Sequence, residues 1–326
     1  MGFVGIDAVV YGTTDVKKGV AAFQDFGLKK IKGGAKEGIL ETQDGSRVII
    51  KTRGDKSLPK AIQPGSTVRE IIWGVQNASD MTRIRHELEK DRAVTVDKDG
   101  TLHAVDDIGL GIAFRKTHRR KLKASKPTPI NAPEAVVRFD DRAHYYDKAT
   151  PLTVGHAVFT VPDLKKAQKF YEKRLGFAVS DYYSGRGVFM RCKTPGGHHN
   201  LFFLEDESGK TQINHVAFGV SNTHELFAGG IHFTSKGWKT AVGPGRHIVS
   251  SCYFWYFKNP CGGNIEYFVD EDYCTKDWKP KRWNPAPHMF AEWALGDGLN
   301  KFAGQPPTRT KGDMKKSKAK KKAKSA

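Results

Sequence analysis

The chain has 326 residues, 38% of them hydrophobic and 11% aromatic, with a formal net charge of +19. That length accommodates two compact domains, and the composition is that of a folded protein rather than a disordered or fibrous one. No apolar run approaches the roughly 20 residues of a membrane-spanning helix.

The first residues, MGFVGIDAVVYG, read as a strand and lack the charged start and cleavage site of an export signal. Cys192, Cys252, Cys261 and Cys274 show no CxxC pairing, so reduced thiols and a cytoplasmic location are expected. TDVKKGVAAFQDFGL, from Thr14, carries Asp15 as the N-cap of an amphipathic helix that stops at a glycine. REIIWGVQN, from Arg69, reads as a strand running into a polar helix start.

Both patterns recur. PDLKKAQKFYEKRLGF, from Pro162, repeats the capped helix with Asp163, and NHVAFGVSN, from Asn214, repeats the strand and polar start. Repetition at this spacing predicts a tandem duplication over about 3–118 and 152–270. The second half divides further. HAVFTV, a helix, FAVSDYY, GVFMRCK and HNLFFLE form one unit; INHVAFGV, a short helix near THELFAGG, KTAVG, VSSCYFWYF and GNIEYFVD form the next. Alternating strands imply sheets with one buried face. The predicted fold is α+β: four βαβββ modules paired into two incompletely closed eight-stranded barrels.

The expected boundaries are an N-terminal domain at 1–118, a proline- and charge-rich linker at 119–150, and a second domain at 151–275. A C-terminal extension at 276–307 and a lysine-rich tail at 308–326 follow. The tail has eight lysines and one arginine against one aspartate, without an apolar face, and reads as disordered. It suits contact with anionic surfaces. No zinc-finger, recognition-helix or RNA-stacking signature predicts specific nucleic-acid binding.

His156 opens an otherwise apolar strand, His215 occupies the equivalent place in the next module, and Glu266 lies on that module's last strand. Related strands face a shared cavity, so two imidazoles and a carboxylate can converge on a metal with open positions left over. The first half is an internal control. Its repeat places Ala8 opposite His156, Glu70 opposite His215 and Ala113 opposite Glu266. Two of those three cannot ligate, so the fold itself does not require His156 or Glu266 to be polar. His198, His199, His247 and Tyr256 fall on the same strands and suit acid–base and substrate-orienting work. Trp278, Trp283, Phe290 and Trp293 can cover the cavity mouth or pack the extension.

GHAVFTVPDLKKAQKFYEKRLGF, HHNLFF, INHVAFGV, GPGRH and YFKNPCGGNIEYF together resemble the type I extradiol ring-cleaving dioxygenases of the vicinal oxygen chelate superfamily. The resemblance implies paired βαβββ modules with a metal-free first domain. It implies Fe(II), or Mn(II), on His156, His215 and Glu266. It assigns His199 as the acid–base residue, with His198 the neighbouring candidate, and His247 and Tyr256 as groups that contact the substrate oxygens. The implied reaction is extradiol cleavage of a catechol by O2 in aromatic compound catabolism, by a homo-oligomer. The alternatives are a keto-acid dioxygenase or isomerase on the same fold, or a barrel that binds an aromatic ligand without chemistry.

Overall fold

The computed structural model describes residues 1–122, 128–206, 208–284, 286 and 289–295. The lysine-rich tail, His288 and parts of the linker and extension lie outside the described residues.

The first half builds a sheet from β1 (Phe3–Thr13), β2 (Lys29–Gly33), β3 (Glu37–Glu41), β4 (Arg47–Thr52), β5 (Thr67–Val75), β6 (Thr95–Val96), β7 (Leu102–Val105) and β8 (Gly111–Lys116). Its strand order is β2-β3-β4-β1-β5-β8-β7-β6. Helix α1 (Val16–Asp25) follows β1 and α2 (Ala78–Leu88) follows β5. The second half repeats this with β9 (Thr153–Val161), α3 (Leu164–Lys169), β10 (Ala178–Tyr183), β11 (Gly187–Arg191), β12 (Gly196–Gly197) and β13 (Leu201–Glu205). Then come β14 (Gln212–Gly219), α4 (Thr223–Ser235), β15 (Thr240–Arg246), β16 (Tyr253–Lys258) and β17 (Asn264–Val269).

The second sheet has ten strands, not eight. β19 (Arg282–Trp283) pairs with β10 and β20 (Trp293–Ala294) with β15, while β12 pairs apart with β18 (Tyr273–Cys274). The extension therefore covers both edges of an open sheet, where unpaired backbone groups would otherwise remain. Neither strand order closes on itself.

Asp15, Asn77, Asp163 and Asn222 each cap a helix, accepting from the backbone N–H three residues on. Two helices depart from expectation. The segment after Asp163 ends in one π-helical turn, Phe170–Arg174. Helix α4 runs through Gly229 and Gly230, because side chains there would collide with Ala149 and the Trp255 ring.

Strand period sorts the residues onto two faces. Ala157, Phe159, Ile265 and Tyr267 join a core cluster that also contains Val9, Tyr11, Trp73 and Phe114 of the first half. The halves meet there: Phe26 stacks on Tyr267 at 3.8 Å, and Phe3 meets Phe177 edge-on at 5.1 Å. Alternate residues, including His156, Val158, Ala217 and Glu266, face the other way.

Gly27 ends α1 in the left-handed region, φ +93°. Gly27 N–H bonds Gln24 O and Leu28 N–H bonds Phe23 O, so this glycine completes the helix stop. A Cβ there would overlap the Ala149 carbonyl of the other half. Gly27→Ala is expected to cost about 2 kcal/mol from the backbone conformation alone, read as a lower urea midpoint with an unchanged slope.

Candidate metal centre and active site

The strand registers bring the three predicted ligands together. His156 on β9 pairs with Ala217 on β14, and Ala217 pairs with Glu266 on β17. His215 lies two residues before Ala217 on the same face. In the first sheet, Ala8 pairs with Ile72 and Ile72 with Ala113, so the repeat correspondence read from the sequence is also the spatial one. Glu70, two residues before Ile72, occupies the place of His215.

Nε2 of His156 lies 3.2 Å and Nε2 of His215 3.1 Å from the same oxygen, Glu266 Oε2. Glu266 is fully buried. His215 Nδ1 lies 2.8 Å from Asn214 Oδ1. An amide oxygen only accepts, so Nδ1 carries the proton and Nε2 presents a lone pair. That lone pair faces a carboxylate oxygen, and His215 Nε2 and Glu266 Oε1 are left without hydrogen-bond partners. Opposed acceptors in a dry site are costly, and a divalent cation between them removes the conflict. Burial would push the Glu266 carboxyl up, but His156 and His215 hold it well below the usual range, ready to ligate as an anion. The donor set suits a non-haem Fe(II) or Mn(II).

Two other groups overlap this one: His156–His199–Glu271 and His247–Cys252–Glu266. Both fit less well. His199 Nδ1 already has His198 Nδ1 and Glu271 Oε1 at 3.2 Å. Burial pushes the Cys252 thiol well above its usual value, so it stays protonated beside Ser250.

A cavity of about 200 Å³ opens on His156 and His215, with Glu266 buried against both imidazoles. His199 lines it, with its ring 4.1 Å from that of His156. Burial, then the neighbouring imidazoles, hold His199 well below the ordinary histidine value, so it is a neutral base. His198 is fully buried behind it, its Nε2 3.3 Å from Asp181 Oδ2.

On the opposite wall His247 Nδ1 lies 2.7 Å from Phe290 O and must donate to it. Its Nε2 then accepts from the Tyr256 hydroxyl at 2.9 Å. Burial lowers His247 to about 4 and, with the charge of Glu266, raises Tyr256 well above its ordinary value. The pair is thus neutral. Tyr256 pairs directly with Glu266 across the sheet, which puts it on the cavity face.

Much of the remaining lining is apolar, with Asn214, Ser250, Lys258 and Asn264 as its polar members. Phe189 and Phe202 stack at 3.8 Å beside Val158 and Leu204. Of the four extension aromatics, Phe290 lines the cavity. Trp283 packs on the Phe189 cluster, Trp278 edges against His198, and Trp293 stands partly exposed beside Tyr253. Sequence reasoning passed over Asp181 and Glu271. Asp181 had a signal, an acid inside the strand FAVSDYY. Glu271 lies just past a strand and had none.

Residues 153–267 match the model of the Glyoxalase/Bleomycin resistance protein/Dioxygenase superfamily. The second half is a domain of that superfamily. Metapyrocatechase 2 of Cupriavidus necator is 29% identical over 148 residues, 45% of this chain. That match spans 44% of the relative, less than half its length. An iron-dependent extradiol dioxygenase of Rhodococcus jostii is 22% identical over 267 residues, covering 76% of this chain and 84% of that one. The structure of a Mn(II)-bound glyoxalase from Novosphingobium aromaticivorans shares the superfamily fold at a TM-score of 0.73 and 22% identity, over 94% and 95% of the two chains.

Proposed function

We propose that this chain is an extradiol dioxygenase, which opens a catechol ring beside its two hydroxyls and incorporates both atoms of O2. The carrying observation is the convergence of His156 Nε2, His215 Nε2 and the buried Glu266 carboxylate at the floor of an aromatic-lined cavity. Those three residues would hold Fe(II) or Mn(II). When bound, the metal supplies open coordination positions and unpaired electrons, which relieve the spin barrier between O2 and a closed-shell aromatic.

The chain's own residues do the rest. Neutral His199 takes a proton from the entering catechol and returns it as the ring opens. Tyr256 donates to His247, so its oxygen is left to accept from a substrate hydroxyl. His247 is fixed in one tautomer by the Phe290 carbonyl. Phe189, Phe202 and Val158 clamp the ring and exclude water, which orients the reacting carbon. The proposed setting is cytoplasmic breakdown of aromatic compounds by a homo-oligomer.

Purified protein loaded anaerobically with Fe(II) and then given oxygen and a catechol tests this. Oxygen uptake matched by a yellow ring-opened product is expected. Iron bound without uptake for any catechol would overturn it.

Cavity size predicts the substrate. A cavity of about 150 Å³ holds one benzene ring, so 200 Å³ takes a single ring with short substituents. Catechol and methylcatechols are expected to exceed 2,3-dihydroxybiphenyl in kcat/KM by at least tenfold, measured side by side.

One observation favours a second reading, a metal-dependent isomerase. Glu271 is a second, largely covered carboxyl beside His156, pushed up to about 7 by burial, and such enzymes use more carboxylate ligands. Turnover of a thiol–ketoaldehyde adduct without oxygen uptake would select it.

A further inference from the structure

The first half carries a cavity of its own, about 800 Å³, between β1, β3–β5, β7 and β8. It is the repeat counterpart of the metal site. Where the second half has His156 and Glu266, this one has Ala8 and Ala113, part of an apolar cluster with Val10 and Ile72. Yet at the place of His215 stands Glu70. At the place of Tyr256 stands His103, which pairs with Ala113 as Tyr256 pairs with Glu266. Because apolar residues fill the two neighbouring positions, the fold does not demand this polar pair.

Glu70 is only 5% exposed. Its Oε1 lies 2.8 Å from His103 Nδ1, while His103 Nε2 lies 3.2 Å from Asp97 Oδ2. The hydrogen bond with Glu70 raises the His103 value, and this one ring bridges two carboxylates. The wall's other cations already hold acceptors. Arg92 bonds Asp91 and Asp107, Arg115 bonds Asp7, and Lys51 bonds Ser57 beside Glu37. Asp99 accepts from the backbone N–H and the hydroxyl of Thr101, with Arg115 nearby. Glu70 and Asp97 thus share one imidazole and, with Asp99, make an acidic stretch of wall above an apolar floor in a chain of charge +19. A concave site with a greasy floor and a few convergent polar groups is the form of a small-molecule pocket.

We infer that this cavity binds a small organic amine. Its apolar body would lie on Val10, Ile49, Leu58 and Ile72, and its ammonium would bond the second carboxylate oxygens of Glu70 and Asp97. A carboxylate of the same shape would meet acceptors where it needs donors, and a neutral alcohol would bring one donor without the charge.

Calorimetric titration of the full chain with phenethylammonium, phenylacetate and 2-phenylethanol at matched ionic strength tests this. The ammonium is expected to bind at least tenfold more tightly than either control, the size of one charge-assisted hydrogen bond. Glu70→Gln and Asp97→Asn should each weaken it about tenfold, and His215→Ala should leave it unchanged. Asp97 is largely exposed, so its variant reports even if Glu70→Gln fails to fold. Equal affinity for the three probes, no binding at millimolar concentration, binding that survives Asp97→Asn, or loss in His215→Ala would each overturn the inference.

Discussion

His215→Ala is expected to give a folded protein that no longer retains stoichiometric iron and shows no catechol-dependent oxygen uptake. Removing a group that merely orients a ligand already costs about 10–100-fold in metal affinity. Removing one of three ligands should cost more than a hundredfold. The substitution also leaves Glu266 buried with one close imidazole, His156, in place of two, so the carboxyl is expected to take up a proton more readily. Folding should survive, because Ala8 and Ala113 show that the neighbouring positions on this face accept a methyl group in the other sheet. Glu70→Ala is the matched control, at the equivalent place of the first half, and should leave iron content unchanged. Metal analysis and oxygen uptake on the two variants decide the matter. Normal iron with normal uptake in His215→Ala would remove that residue from the ligand set and with it the proposed centre.

His199→Ala should keep its iron yet lose about 10²–10⁴ in kcat, the range of general acid–base catalysis. Position separates the two neighbouring histidines. His199 lines the cavity, whereas His198 is sealed behind it against Asp181 and Trp278. His198→Ala should therefore act more weakly, through the orientation of His199. The pH profile supplies a second readout. A base must be unprotonated to accept the catechol proton, so rate falls as pH drops through its pKa. Burial and neighbouring imidazoles depress that value, and a bound cation depresses it further. The acid limb of kcat/KM should consequently lie below the ordinary histidine range. An unchanged rate in His199→Ala, or a larger loss in His198→Ala, would move the role to the neighbour.

The duplication was legible in the chain because each module must repeat the same local instructions. Asp15 and Asp163 cap equivalent helices, and the apolar alternation of HAVFTV or NIEYFV sets which residues share a face. Since side chains alternate with period two, His156 and Glu266 face away from their neighbours Ala157 and Ile265, which join the core. The repeat then acted as a control, with alanines at two matched positions. Other features depend on register and on distant packing, which no local pattern encodes. One Glu266 oxygen receives both imidazoles because β9, β14 and β17 are neighbours in one sheet. Asn214 sets the tautomer of His215 through a contact visible only in space. His198 and His199 are adjacent in sequence and alike in chemistry, and only the fold turns one into the cavity and the other into the wall. The run of Gly229 and Gly230 looked like a helix end, yet it is the close approach of Ala149 and Trp255 that requires them inside α4. Sequence determined which residues face inward; tertiary packing decided which of them meet, because contact depends on strands far apart in the chain.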